Sequence, residues 1–188
     1  MQERGIMSFV LVIIFIALEF AMLGAQNEIA KEVGKAQVLL MQMEKASYVR
    51  NEIEQNSDFL IENVMENELR GRNYDPEAIK GKVCSALFGY FGNVQAAYAG
   101  NSSVKFYSAF ATSSEYQELP PKIKVPLQEF ELCANSKVLV VKDFASYSAE
   151  FSYTGGIFKD RAVFAEIAYG NYSLVFVIPF DYAITAEI

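Results

Sequence analysis

The 188-residue sequence contains no histidine and no tryptophan, only five prolines, and just two cysteines. Without histidine there is no Ser-His or Cys-His nucleophile pair, and the commonest zinc ligand and general base are missing as well. The chain also lacks a P-loop, a GxGxxG turn and a CxxC pair, the usual signatures of phosphate, dinucleotide and thiol-redox sites. No basic tract occurs and the formal net charge is −7, which excludes the clustered Lys and Arg that nucleic-acid binding draws on. Carboxylates do not fill the gap. Glu52/Glu54 and Glu66/Glu68 are two residues apart in helical sequence and point apart. A cross-strand pair such as Glu150 with Glu166 is explained more simply as exposed strand charge. The reading is of a structural chain rather than an enzyme, with no cofactor and no metal. The 11 Tyr and 15 Phe then belong to a core and to subunit interfaces.

Two cysteines in the non-membrane part, Cys84 and Cys133, fit one disulfide outside the cytosol, the alternative being two buried thiols. The sequons at Asn101 and Asn171 mark candidate glycosylation sites on the same side of the membrane.

What is present is one long apolar run. Between Ile6 and Ala25 only Ser8, Glu19 and Gly24 interrupt it, and about 20 helical residues span roughly 30 Å of hydrocarbon. The flanking charges are nearly balanced, so the cysteines and sequons set the orientation, with the N-terminus inside and the C-terminus outside. Glu19 is costly in such a helix, about 2.5–3.5 kcal/mol at a membrane centre. It either reaches the headgroups near the outer end or makes a polar contact with another helix. Ala17 and Ala21 form a small-xxx-small pair near Gly24, which permits close helix approach.

The helical pattern continues beyond the run. From Asn27 to Arg72 there is no proline and only Gly34 and Gly71. Ile29, Val33, Ala36, Leu40 and Met43 step at heptad spacing, and the seam resumes at Val49, Ile53, Ser57, Leu60 and Val64. One helix from about Ile6 to Leu69 is predicted, weakest at Gly24 and Gly34. Its outer half must pack on the rest of the chain, on other copies, or on both. Arg70-Gly71-Arg72-Asn73 ends it, and Asp75-Pro76-Glu77 starts a shorter helix through Leu87. Residues Cys84 to Tyr98 are ambiguous between helix and strand.

From Ser103 onward the period changes to two. Strands are predicted at Val104–Phe110, within Lys122–Leu132, and at Val138–Phe144 as a central strand. Tyr147–Tyr153 and Ile157–Tyr169 read as a hairpin around Thr154-Gly155-Gly156, and a second turn at Gly170-Asn171 leads to a last strand from Ser173 to about Ile188, with Pro179 limiting part of it to an edge or bulge. The fold class is therefore α+β. Residues 1–5 form a leader-like segment, 6–25 a membrane or filament-core helix, 26–72 an amphipathic stalk, and 73–188 an antiparallel β-sandwich-like head.

A short polar leader ending in Gly5, an apolar helix starting at Ile6, a long amphipathic extension and a β-rich head resemble the type IV pilin-like proteins, the archaeal ones most closely. The resemblance implies cleavage by a prepilin peptidase between Gly5 and Ile6. It also implies membrane residence before assembly, then self-association into a helical homopolymer at the cell surface through the N-terminal helix, with Ala17, Glu19, Ala21 and Gly24 in the helix contacts. The family's early glutamate, five residues into the mature chain, is Val10 here. A late acid such as Glu19 is similar to that of TadE-like pseudopilins. The rival reading is a membrane-anchored extracellular binding module, S-layer-binding or stator-like, that does not polymerise.

Overall fold

The computed structural model describes residues 3–100, 102–110, 125–143, 146–153, 161–178 and 180–187. Helix formers without an internal proline produce one 68-residue helix, α1 (Glu3–Arg70), about 100 Å long at 1.5 Å per residue. It runs through Gly24 and Gly34 without a break. Ion pairs such as Lys35–Glu32 (2.7 Å) and Arg50–Glu54 (2.9 Å) lie along it, each worth only a few tenths of a kcal/mol on an exposed helix.

The chain divides into two compact units, Met1–Gln42 and Met43–Ile188. The first is the N-terminal part of α1. The second therefore begins inside the helix, upstream of Asn73, and takes in the C-terminal part of α1.

The end of α1 closes by a Schellman pattern. Arg72 N–H donates to the Leu69 carbonyl (3.0 Å) and Asn73 N–H to the Glu68 carbonyl (2.9 Å). These bonds satisfy two of the carbonyls a helix end leaves open. The left-handed position is Arg72, with φ 60°, rather than the neighbouring Gly71. A Cβ on Gly71 would meet the Asn67 carbonyl oxygen at 3.1 Å, a tight approach that glycine relieves.

Helix α2 (Pro76–Ala97) starts as its sequence predicts. The Asp75 carboxylate accepts from Glu77 N–H, and Pro76 opens the first turn. Ile79, Val83, Cys84, Leu87, Phe91 and Val94 make its buried face, so the ambiguous stretch after Cys84 is helical. The buried positions recur at three and four residues, which a strand would place on alternating faces.

Seven strands follow: β1 (Ser102–Phe110), β2 (Val125–Pro126), β3 (Ser136–Lys142), β4 (Ser146–Tyr153), β5 (Arg161–Tyr169), β6 (Tyr172–Val177) and β7 (Asp181–Glu187). A short helix, α3 (Glu129–Asn135), precedes β3. The strands form two antiparallel sheets, ordered β2-β1-β5-β6 and β3-β4-β7.

Three expectations are corrected. Among its described residues, the run Lys122–Leu132 contributes the two residues of β2 before α3 begins. The hairpin expected across Gly155-Gly156 does not form, because β4 pairs with β3 and β7 while β5 pairs with β1 and β6. β5 buries Ala162, Val163, Phe164, Ala165 and Ile167 on both faces and takes an interior place between β1 and β6, whereas β4 joins the other sheet. The turn residues 154–156 lie outside the described residues. Finally, β3 is an edge strand rather than a central one, with Leu139 and Val141 exposed.

The last predicted strand divides in two. Ile178 N–H donates to the Val163 carbonyl (2.9 Å) in the first sheet, and the Phe180 carbonyl accepts from Tyr153 N–H (3.0 Å) in the second. The chain changes sheets across this pair. The turn expected at Gly170-Asn171 is present: β5 and β6 form a hairpin across it, with Gly170 at φ 56° and Tyr169 opposite Tyr172.

One core unites these elements. Ala46, Val49, Ile53, Ile61, Met65 and Leu69 of α1 share it with the α2 face, with Phe106, Ile167 and Phe176 of the first sheet, and with Phe151 and Val138 of the second. The outer part of the predicted seam thus packs on the chain's own head.

Candidate functional site

The first unit carries the residues singled out for assembly. Gly5 and Ile6 lie within α1. Ala17, Glu19, Ala21 and Gly24 are all exposed, and nothing lies within 4 Å of where a Gly24 Cβ would sit. Helical geometry separates the four. At about 100° per residue, Ala17, Ala21 and Gly24 fall within an arc of about 60°, and Glu19 stands about 160° from Ala17 and Ala21 and about 140° from Gly24. The small residues therefore make one face, and Glu19 occupies the opposite one.

Glu19 is flanked on its own face by apolar side chains at three and four residues: Phe15, Ile16, Met22 and Leu23. No cation stands at those positions, and the acid has no hydrogen bond or ion pair among the described residues. Phe15, Phe20, Met22 and Leu23 are each at least 60% exposed. Further along, Ile29, Val33, Leu40 and Met43 of the predicted seam are exposed as well. Among the described residues, α1 is the one helix long and apolar enough to cross a membrane, and none of its apolar stretch is buried within the chain.

In the second unit, polar contacts fix the C-terminal part of α1 to the head. Tyr98 OH donates to a Glu52 carboxylate oxygen (3.0 Å) and Tyr182 OH to Glu62 (3.1 Å). The Arg50 guanidinium lies 5.3 Å from the centre of the Phe176 ring. Lys82 Nζ donates to Glu68 (2.7 Å). That contact, with a second from Asn73, holds the Glu68 carboxyl below its ordinary value. Every acid pair considered as catalytic is thereby taken up structurally or separated. Glu52 accepts from Tyr98, Glu54 pairs with Arg50, Glu66 with Arg70, and Glu68 with Lys82. Glu150 and Glu166 lie on strands of different sheets, and Glu166 accepts from Ser173 Oγ (3.4 Å).

Burial first, and then the hydrogen bond to Glu52, push the Tyr98 hydroxyl up to about 12. The protonated phenol is favoured in the fold, so its contribution is fully present below pH 10.0, the ordinary tyrosine value. It is lost as pH rises through about 12. Tyr98→Phe is expected to lower stability by about 1 kcal/mol at neutral pH, with the gap to the parent narrowing between pH 10 and 12. Urea unfolding of both proteins across that range checks it, and a gap independent of pH would contradict it.

Cys84 is fully buried and Cys133 half-buried, and both are free thiols. The expected bridge is therefore not formed in this structure, although the structure places the two cysteines in contact. Cys133 packs against the core cluster that contains Cys84, and α2 packs on α3. Of the two sequons, Asn171 is exposed in the β5–β6 turn, and Asn101 lies outside the described residues.

A groove of about 140 Å³ between α2, β1 and β2 is walled by Phe88, Phe91, Phe106, Leu127 and Gln95 and contains no acid or cation. No group of three or more metal-ligating side chains occurs among the described residues.

Comparison with protein-family models, with curated proteins and with solved structures finds no match to this chain. The fold itself is an α+β chain carrying one exposed apolar helix of membrane-spanning length and two antiparallel sheets.

Proposed function

We propose that the chain is a structural subunit of a type IV pilus-like cell-surface filament. In this reading it waits in the membrane, assembles with copies of itself through the N-terminal part of α1, and displays the β-rich head outward. It does no catalysis and takes no cofactor. The observation that carries the reading is the exposed apolar stretch of α1. Apolar surface on this scale must be covered by lipid or by other helices.

The two opposed faces of that stretch support a polymer over a closed dimer. A two-fold dimer uses one self-complementary patch, whereas joining different faces head to tail leaves a free face at each end and propagates. The small-residue face permits close approach by a neighbouring helix, and Glu19 on the other face has no partner among the described residues. A contact between membrane helices averages about 0.6 kcal/mol, but a filament repeats it at every subunit.

The test is the ratio of chain in sheared surface filaments to chain retained in membranes, read by electron microscopy and mass spectrometry. Glu19→Leu is expected to leave the head folded and insertion intact while reducing the filament fraction several-fold. Glu19→Gln keeps a hydrogen-bonding group and is expected to retain most of it. Chain found only in membranes would instead favour an anchored binding module. Parent-like polymerisation of Glu19→Leu would assign the acid to the headgroup region.

A further inference from the structure

We infer that Cys84 and Cys133 form a built dithiol site that a small or protein-borne disulfide oxidant closes in a fixed order, Cys133 reacting first and Cys84 resolving. The two residues stand on different elements, α2 and α3, that pack against each other. Cys84 belongs to the core cluster, and Cys133 packs against that cluster from its edge. Their environments are unequal. Cys84 is wholly enclosed, while Cys133 is only partly buried, so Cys133 is the more accessible of the two to an oxidant in the folded protein. Burial, followed by the nearby Cys133, raises the Cys84 thiol well above its ordinary value, and Ser136 works the opposite way. A thiol held protonated is a poor first nucleophile.

The chemistry balances in two exchanges. The Cys133 thiolate attacks one sulfur of the oxidant R–S–S–R. A Cys133–S–R bond forms, the oxidant's S–S bond breaks, and R–S⁻ leaves and takes a proton. Cys84 then attacks Cys133 Sγ, and its proton passes to the departing thiolate. The Cys84–Cys133 bond forms and the second R–S⁻ departs and is protonated. Two protein thiols are oxidised and one external disulfide is reduced to two thiols.

The bridge would fasten a weakly held element. α3 is seven residues long, its N-cap Gln128 makes no side-chain capping bond, and Phe130 within it is 77% exposed. Short helices are marginal by themselves, and a covalent tie to α2 anchors this one.

The experiment treats the full chain in detergent with oxidised glutathione. The parent is expected to lose two hydrogens in intact mass and to stop reacting with a maleimide. Acid quenching early in the reaction, followed by peptide mapping, is expected to find glutathione on Cys133 more than about tenfold over Cys84. Cys84→Ala should accumulate a stable glutathione adduct at Cys133, and Cys133→Ala should remain unmodified until it is denatured. Early glutathione on Cys84 would overturn the order. A parent that keeps two thiols, or ends with stable glutathione adducts, would overturn the site itself. The quench on the unmutated chain decides the order even if a variant misfolds, and none of these readouts depends on filament assembly.

Discussion

A chain that begins at Tyr74, lacking α1, is expected not to fold, whereas one that begins at Met43 is expected to unfold cooperatively. The reason lies in the inventory of the core. Val49, Ile53, Ile61 and Met65 are all at most 2% exposed and Leu69 is 4% exposed, and all five come from α1. Truncating one buried aliphatic side chain of this size to alanine costs about 2–5 kcal/mol. Removing five at once exceeds the roughly 5–15 kcal/mol of net stability that a domain possesses. The same deletion bares the apolar side of Leu87 and Phe151, which belong to the same cluster, and strips Tyr98 and Tyr182 of their carboxylate partners. Residues 1–42 carry none of this burden, since the compact unit starts at Met43. Circular dichroism and urea titration of the two fragments make the comparison. A sigmoidal transition in the Tyr74 fragment would show that α1 is an accessory to the head and not part of its core.

How far the sequence revealed this fold depended on the range of the interaction concerned. Elements set by neighbours in sequence were legible. The absence of proline over 68 residues and the three-four spacing of apolar positions specified α1, and Asp75-Pro76-Glu77 placed the start of α2 at its observed residue. Ending α1 at Arg70 was legible too, but not which residue turns left-handed. Glycine is the favoured occupant of that position, yet Arg72 takes it while Gly71 answers a steric demand one residue earlier.

Strand partnership was not legible. Period-two alternation says that a segment is a strand and which residues share a face, not which strand lies beside it. Two strands joined through Gly155-Gly156 therefore looked like a hairpin, although their apolar faces are satisfied in separate sheets. The contacts binding α1 to the head span 46 residues for Glu52–Tyr98 and 120 for Glu62–Tyr182, and no local pattern announces them. For the assembly helix, the candidate residues were legible as a set, and helical geometry sorted them into two faces. The thiol pair was legible as a pair, but the inequality of its two members required the core.

Phe91→Ala is expected to be the most damaging single substitution in α2, at about 3–5 kcal/mol. Phe91 is 2% exposed and is among the largest fully enclosed side chains of the protein. Its ring stacks on Phe106 of β1 with centroids 4.3 Å apart and planes 22° apart, and is tilted against Phe180 at 6.3 Å. Phe180 in turn meets Phe151 of the second sheet edge-on at 6.5 Å. This one side chain therefore links α2 to residues of both sheets. Aromatic pairs of this kind add about 0.5–1.5 kcal/mol beyond the area they bury. One feature limits the loss. Phe91 also walls the groove of about 140 Å³, so the space left by the ring opens toward solvent and water can enter it. That places the cost nearer 3 than 5 kcal/mol, because the penalty grows with sealed cavity volume. Phe88→Ala provides the control. Phe88 lines the same groove but is 36% exposed, and its removal is expected to cost about 1 kcal/mol or less. Urea unfolding of the parent and both variants should shift the midpoint with little change in slope, as expected when stability alone is altered. If Phe88→Ala proves as damaging as Phe91→Ala, the groove and not the ring stack holds α2 to the sheets.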